Sequence, residues 1–179
     1  MSILGLIRGK GHGAAAGALY AALVAQARRP VFYRHLAVAD TATGRFEMIA
    51  VHAFLLLHRL KGEGSAAGAL AQQVFDAMFA DMDQNLREMG IGDLAIGKRV
   101  KRLARGFYGR IAAYERGVES ADPAVLAAAL RRNLHGAAAV EDAQLAAMAD
   151  YMRRQVAALA AQPLAELHAG RVTFEPPAH

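Results

Sequence analysis

The chain has 179 residues, a net charge of +5 and no cysteine, and 55% of its residues are hydrophobic. That length and apolarity suit one domain with a substantial core and exclude a chain disordered by composition. The lack of cysteine excludes disulfides, thiolate metal sites and cysteine nucleophiles.

Much of the apolar content is alanine, which favours helix over sheet. The first 30 residues carry Arg8, Lys10, Arg28 and Arg29 and no acid. The run Ala14–Ala25, "AAAGALYAALVA", falls short of the roughly 20 residues that span a bilayer. It also lacks the charged start and strongly apolar middle of a secretory signal. The alanine- and glycine-rich style continues through the whole chain, which argues against reading this end as an organelle transit peptide. A helix is predicted over 13–27, ended by Pro30. "DTATG", Asp40 to Gly44, is a turn with capping candidates.

The next predicted helix, 43–61, contains "FEMIAVHAFLLLHRL" and is apolar nearly all round. Such a helix is either central in the fold or shows an apolar face to a partner. His52 and His58 are six apart, so they do not form the i, i+4 pair of a helical zinc site. "KGEGS", Lys61 to Ser65, is a flexible link. A helix over 65–89 follows, with Val74, Met78, Met82, Leu86 and Met89 spaced by four and three. Gly90 closes it, and a "GIG" hinge leads to Asp93 as cap of the following helix.

The helix predicted over 93–117 is the most strongly patterned. Ile96, Val100, Leu103, Phe107, Ile111 and Tyr114 make one apolar stripe. Lys98, Lys101, Arg102 and Arg105 cluster away from it. Residues 93–118 hold seven basic and two acidic groups, while 31–92 and 119–179 are each net acidic. This basic stretch, helped by Arg110 and the N-terminal basic residues, suits an acidic partner, anionic lipid heads or nucleic acid. "SADPA" then starts a helix over 122–135, with Asp122 as cap and Pro123 in the first turn. Helix 141–160 and a short turn near 163–169 complete the series. The tail "RVTFEPPAH" holds the β-like triplet Val172 to Phe174 and reads as an extended arm on the helices or a loose end.

Two motifs imitate known sites and fail. Gly92, Gly97 and Lys98 fit the start of a phosphate-binding loop, but Arg99 stands where a Mg²⁺-binding hydroxyl belongs, and a helix precedes it instead of a strand. "DMDQN" imitates a calcium loop but has Leu86 and Gly92 where Gly and Glu are needed. Motifs for serine hydrolases, zinc proteases and dinucleotide enzymes are absent from the sequence.

"GRFEMIAVHAFLLLHRLKGEG", followed by "FADMDQNLREMGIGD", "GK.VK" and "FYGR", resembles the ubiquinol–cytochrome c chaperone family. The resemblance covers about Pro30 to Leu134, and residues 135–179 would add C-terminal helices and the arm to one helical domain, 1–179. It accounts for Gly92, Gly97 and Lys98 as family pattern. It implies a non-enzymatic chaperone, without cofactor or metal, that binds newly made cytochrome b and supports assembly of the respiratory bc1 complex. Eukaryotic relatives carry an added N-terminal region, so this chain reads as a bacterial member, cytoplasmic and peripheral to the inner membrane. A second assembly factor and ribosomes are implied companions, and DNA is not expected. Carried over by matching motif, the partner-binding candidates are Arg87, Glu88, Asp93, Lys98, Lys101, Tyr108 and Arg110, with Phe46, His52 and Phe54 from the first block. Arg102 and Arg105 join them from the basic face. The alternative is a membrane-surface or nucleic-acid binding module using that same helix. The expected fold is an all-α bundle of about six to seven helices with an extended C-terminal arm.

Overall fold

The computed structural model describes residues 13–88, 93–136 and 138–177. In chain order its α-helices are α1 (Ala14–Ala27), α2 (Pro30–Arg34), α3 (Ala42–Leu60), α4 (Ser65–Glu88), α5 (Asp93–Glu119), α6 (Pro123–Leu130), α7 (Asp142–Ala160) and α8 (Leu164–His168). No strand occurs among the described residues. The fold is all-α, as the alanine content and helical spacings require.

The all-round apolarity of α3 makes it the central helix. It packs against α1, α4, α5 and α7. One side, with Met48, Val51, Phe54 and Leu55, joins a core built with Phe32, Tyr114, Leu126, Leu130, Tyr151 and Met152. The other, with Ala50, Ala53, Leu56 and Leu60, joins Leu19, Tyr20, Leu23, Val74, Met78 and Phe107. Thr41 caps α3 by accepting from the Gly44 backbone N–H at 3.1 Å. Gly44 is required there, because a Cβ would sit 1.9 Å from the Ala39 carbonyl oxygen.

Two departures from the expected elements have local causes. Pro30 does not only end α1; at the first position of α2 its fixed φ starts a new turn. Beyond α6 the chain widens into a π turn, Arg131–His135, closed by Gly136 at φ 57°. That turn buries Leu134 and His135, and His135 Nδ1 donates to the carbonyl of Ala37 at 3.2 Å. Ala37 holds a left-handed φ of 54°, a strain of about 1–2 kcal/mol that this contact helps to hold.

The tail is an extended arm docked on α7, not a loose end. Gln162 donates to the Thr173 carbonyl at 2.7 Å and accepts from its N–H at 2.9 Å. Gln155 does the same to Glu175, at 2.9 and 3.1 Å. The two glutamines thus act as strand-like partners for the arm. Val172 and Phe174 alternate with these residues and pack on both cores. Arg59 of α3 closes the end of α7, donating to the carbonyls of Leu159 and Gln162 at 2.9 and 3.1 Å.

Two stability measurements follow from this packing. Gly44→Ala should cost about 2 kcal/mol by overpacking against Ala39, whereas Gly68→Ala, at an open helical position, should gain up to about 1 kcal/mol. Urea unfolding of both variants checks the contrast, and equal effects would contradict it. A chain ending at Gly170 loses two half-buried apolar side chains and should be less stable by about 2–3 kcal/mol.

Candidate partner-binding surface

The geometry of α5 divides its residues cleanly. Ile96, Phe107 and Tyr114 are buried. Val100, Leu103 and Ile111 are half-buried and packed against the core. Lys98, Lys101, Arg102 and Arg105 all project to solvent. None of these four forms an ion pair or hydrogen bond among the described residues, so no described residue neutralises their charges. Gly97 and Lys98 lie within the helix, so the described part of the phosphate-loop look-alike, from residue 93 on, is helical.

Tyr108 completes this face. It is 58% exposed, and with Val125 it is one of the two large apolar side chains exposed among the described residues. Phe75 of α4 lies beneath it, ring centroids 5.5 Å apart and 30° between planes. Phe75 in turn packs on Phe79 at 4.6 Å and on Phe107 at 5.8 Å. Tyr108 is therefore the outer end of an aromatic column rooted in the core, on the same helix as four exposed cations. That combination gives a partner a rigid apolar anchor with a positive rim.

The remaining candidates occupy other settings. Arg87 is exposed near the end of α4 and donates to Asp83 at 2.7 Å. Glu88 is exposed and accepts from Gln84 at 3.0 Å. The side chain of Asp93, the Gly90–Gly92 hinge and the basic residues Arg8 and Lys10 lie outside the described residues. Arg28 and Arg29 are exposed at the end of α1.

Arg110 turns inward. Its Nε and Nη2 donate to the two carboxylate oxygens of Glu47, a bidentate pair whose acid is 5% exposed. Phe46, half-buried, lies under the same guanidinium at 5.7 Å. Burial holds the Glu47 carboxyl above its ordinary range, against the opposing pull of Arg110. This pair ties α3 to α5, so Arg110 serves the fold and is not part of the free basic face. The sequence signal for it was Glu47 itself, a lone acid within an apolar helix.

His52 and Phe54 are core residues. His52 is fully buried, with Nδ1 2.8 Å from the Met48 carbonyl and Nε2 2.8 Å from the Tyr151 hydroxyl. The carbonyl can only accept, so Nδ1 carries the proton and Nε2 accepts from Tyr151. Gln26 donates to the same Tyr151 oxygen at 3.0 Å and to the Glu175 carbonyl of the arm at 2.9 Å. One polar line thus joins α1, α3, α7 and the arm through the apolar interior. Neither the tyrosine nor the glutamine is signalled by sequence spacing, because both partners are distant in the chain. Among the described residues no group of three or more His, Asp or Glu is placed to hold a metal ion, and no helix is long and apolar enough to cross a membrane.

The sequence pattern of the family described as ubiquinol-cytochrome C chaperone matches residues 34–174. The chain belongs to the ubiquinol–cytochrome c chaperone family. The family is one of ubiquinol–cytochrome c reductase assembly factors. The match reaches past Leu134 through α7 and into the arm. Ubiquinol-cytochrome-c reductase complex assembly factor 1 of Xenopus laevis is 30% identical over 125 residues, which is 70% of this chain and 62% of the frog protein. Its Mus musculus counterpart is 28% identical over 138 residues, 77% of this chain and 46% of the mouse protein. This chain therefore spans only about half to three-fifths of the length of those relatives. The crystal structure of the Cbp3 homolog from Brucella abortus is similar with a TM-score of 0.83 and 40% identity, covering 98% of this chain and 97% of that one.

The buried polar line has a measurable signature. Burial pushes His52 down from 6.5 to about 4. Between those values the unfolded chain takes up a proton that the folded chain refuses. Stability therefore falls as pH drops through this window, by about 3 kcal/mol for one such site. His135, also pushed down by burial, acts in the same direction, and Glu47, pushed up by burial, acts in the opposite one. Urea unfolding close to pH 4 and at about pH 7 should show this difference in the native chain. In His52→Phe most of it should vanish, and an undiminished difference would contradict the assignment.

Proposed function

We propose that this member of the ubiquinol–cytochrome c chaperone family is a non-enzymatic chaperone for newly made cytochrome b. It holds that subunit until it joins the ubiquinol–cytochrome c reductase complex. The observation that carries the reading is the outer face of α5, where the exposed ring of Tyr108 follows the solvent-facing run of Lys98, Lys101, Arg102 and Arg105. Family membership supplies the client class, and the surface supplies a means of holding it. A multi-spanning membrane protein presents apolar spans joined by polar loops. Its holder needs an apolar anchor beside charged groups, and a rigid aromatic column with a cationic border meets that need. The site of action in this reading is the cytoplasmic side of a bacterial inner membrane, with the chain peripheral to the bilayer.

The charges would chiefly govern rate of capture and orientation, and Tyr108 the residence time. Lys98→Glu combined with Lys101→Glu should leave the thermal midpoint unchanged, since neither lysine contacts the core. It should cut co-purification of cytochrome b from membrane-containing lysate by roughly tenfold. Undiminished co-purification would remove the basic face from the client contact. Flotation of the native chain with anionic vesicles, or a salt-sensitive shift of nucleic acid, in the absence of any client would instead favour a general anionic-surface module.

A further inference from the structure

We propose that a hollow between the last turn of α3, the Gly62–Gly64 turn, the first turns of α4 and the second half of α5 is a binding site for a small molecule. The ligand class is an uncharged, largely apolar molecule with a single hydrogen-bonding head group. The hollow measures about 590 Å³, inside the range of roughly 300–1,000 Å³ typical of small-molecule sites. Phe54, Leu57 and Ile111 give it apolar walls. The polar groups gather in one place. Lys61 donates to Glu115, bridging α3 to α5 at 2.5 Å, and His58 Nδ1 lies 3.7 Å from the same carboxylate oxygen.

This arrangement selects by charge. Lys61 and Glu115 cancel each other, so an ionic ligand gains no net attraction and must be desolvated against apolar walls. A neutral hydroxyl or carbonyl meets a donor and an acceptor side by side. His58 Nδ1 is closed to solvent and has no hydrogen-bond partner among the described residues. That nitrogen is covered by the wall itself, so a ligand's head group would meet the Lys61–Glu115 pair and not His58.

Gly68 supports the same conclusion. Gly62 and Gly64 adopt φ values of 80° and 91°, which explains their identity. Gly68 has no such need, because it sits in α4, where alanine is the better helix former. A Cβ there would meet nothing within 4 Å. Its physical effect is to leave the wall of the hollow bare. The site is distinct from the cationic run of α5 and stands whether or not the client reading holds.

The test uses a matched pair of fluorescent probes, neutral phenylnaphthylamine and its anionic analogue anilinonaphthalene sulfonate. The full chain should bind the neutral probe saturably, one per chain, and the sulfonate at least about tenfold more weakly. Gly68→Leu should fill the hollow and weaken the neutral probe by about tenfold or more, with its thermal midpoint kept. Ala71→Leu fills it from the neighbouring turn and decides the matter if the first variant fails to fold. Absence of saturable binding, or equal binding by the native chain and a folded filled variant, would overturn the site. Tighter binding of the sulfonate, lost on filling, would overturn the assignment to uncharged ligands.

Discussion

Everything in this molecule depends on the burial of α3 on all sides. A helix whose apolar residues point in every direction is stable only when surrounded, and here α1, α4, α5 and α7 do the surrounding. The two polar residues that α3 carries into the interior then fix how it sits. His52 has both ring nitrogens satisfied, and Glu47 meets a bidentate arginine. Misplacing α3 would leave a buried carboxylate or imidazole unpaired, at a cost of several kcal/mol by the usual range of about 3–5 for a broken buried ion pair. The apolar residues supply the drive to bury the helix, and these polar contacts select one arrangement of its neighbours.

That constraint shapes the surface. Since α5 commits Ile96, Phe107 and Tyr114 to the core and Arg110 to Glu47, its opposite face is left with cations that the fold does not use. Tyr108 gains its value from the interior as well. Phe75, Phe79 and Phe107 beneath it hold the ring in place, so an exposed side chain inherits the rigidity of the core. The arm adds a further link, because Gln26 and Gln155 both bind the Glu175 carbonyl and carry the order of α1 and α7 into the last residues.

Much of this was legible in the sequence where periodicity carries it. The apolar stripe of α5 and the capped start of α6 at Asp122 and Pro123 follow from spacing and local chemistry, while the all-round apolarity of α3 left a central and a partner-facing helix open until its packing decided for the first. The exposure of Tyr108 followed from its place one residue past the buried Phe107. The failures share a physical origin. Pro30 ends α1, and the same fixed φ also starts α2, a double role that spacing does not show. The π turn at Arg131–His135 has no local signature, and its one long-range hydrogen bond reaches Ala37, far away in sequence. Helical spacing sets Arg110 among the cations of α5, because it reports which way a residue faces but not which residue 63 positions away awaits it. His52 and Phe54 are contact candidates by family motif alone, and a motif does not distinguish positions needed for packing, where both lie, from positions needed for binding.

The most direct test is site-specific photo-crosslinking in cells that are assembling the reductase complex. A photoreactive amino acid would replace Tyr108, and a control would replace Val125, the other large exposed apolar residue. A covalent adduct with cytochrome b is expected from position 108, and a much weaker one or none from position 125. Absence of any cytochrome b adduct at 108, in a chain that stays folded and is present in those cells, would contradict it.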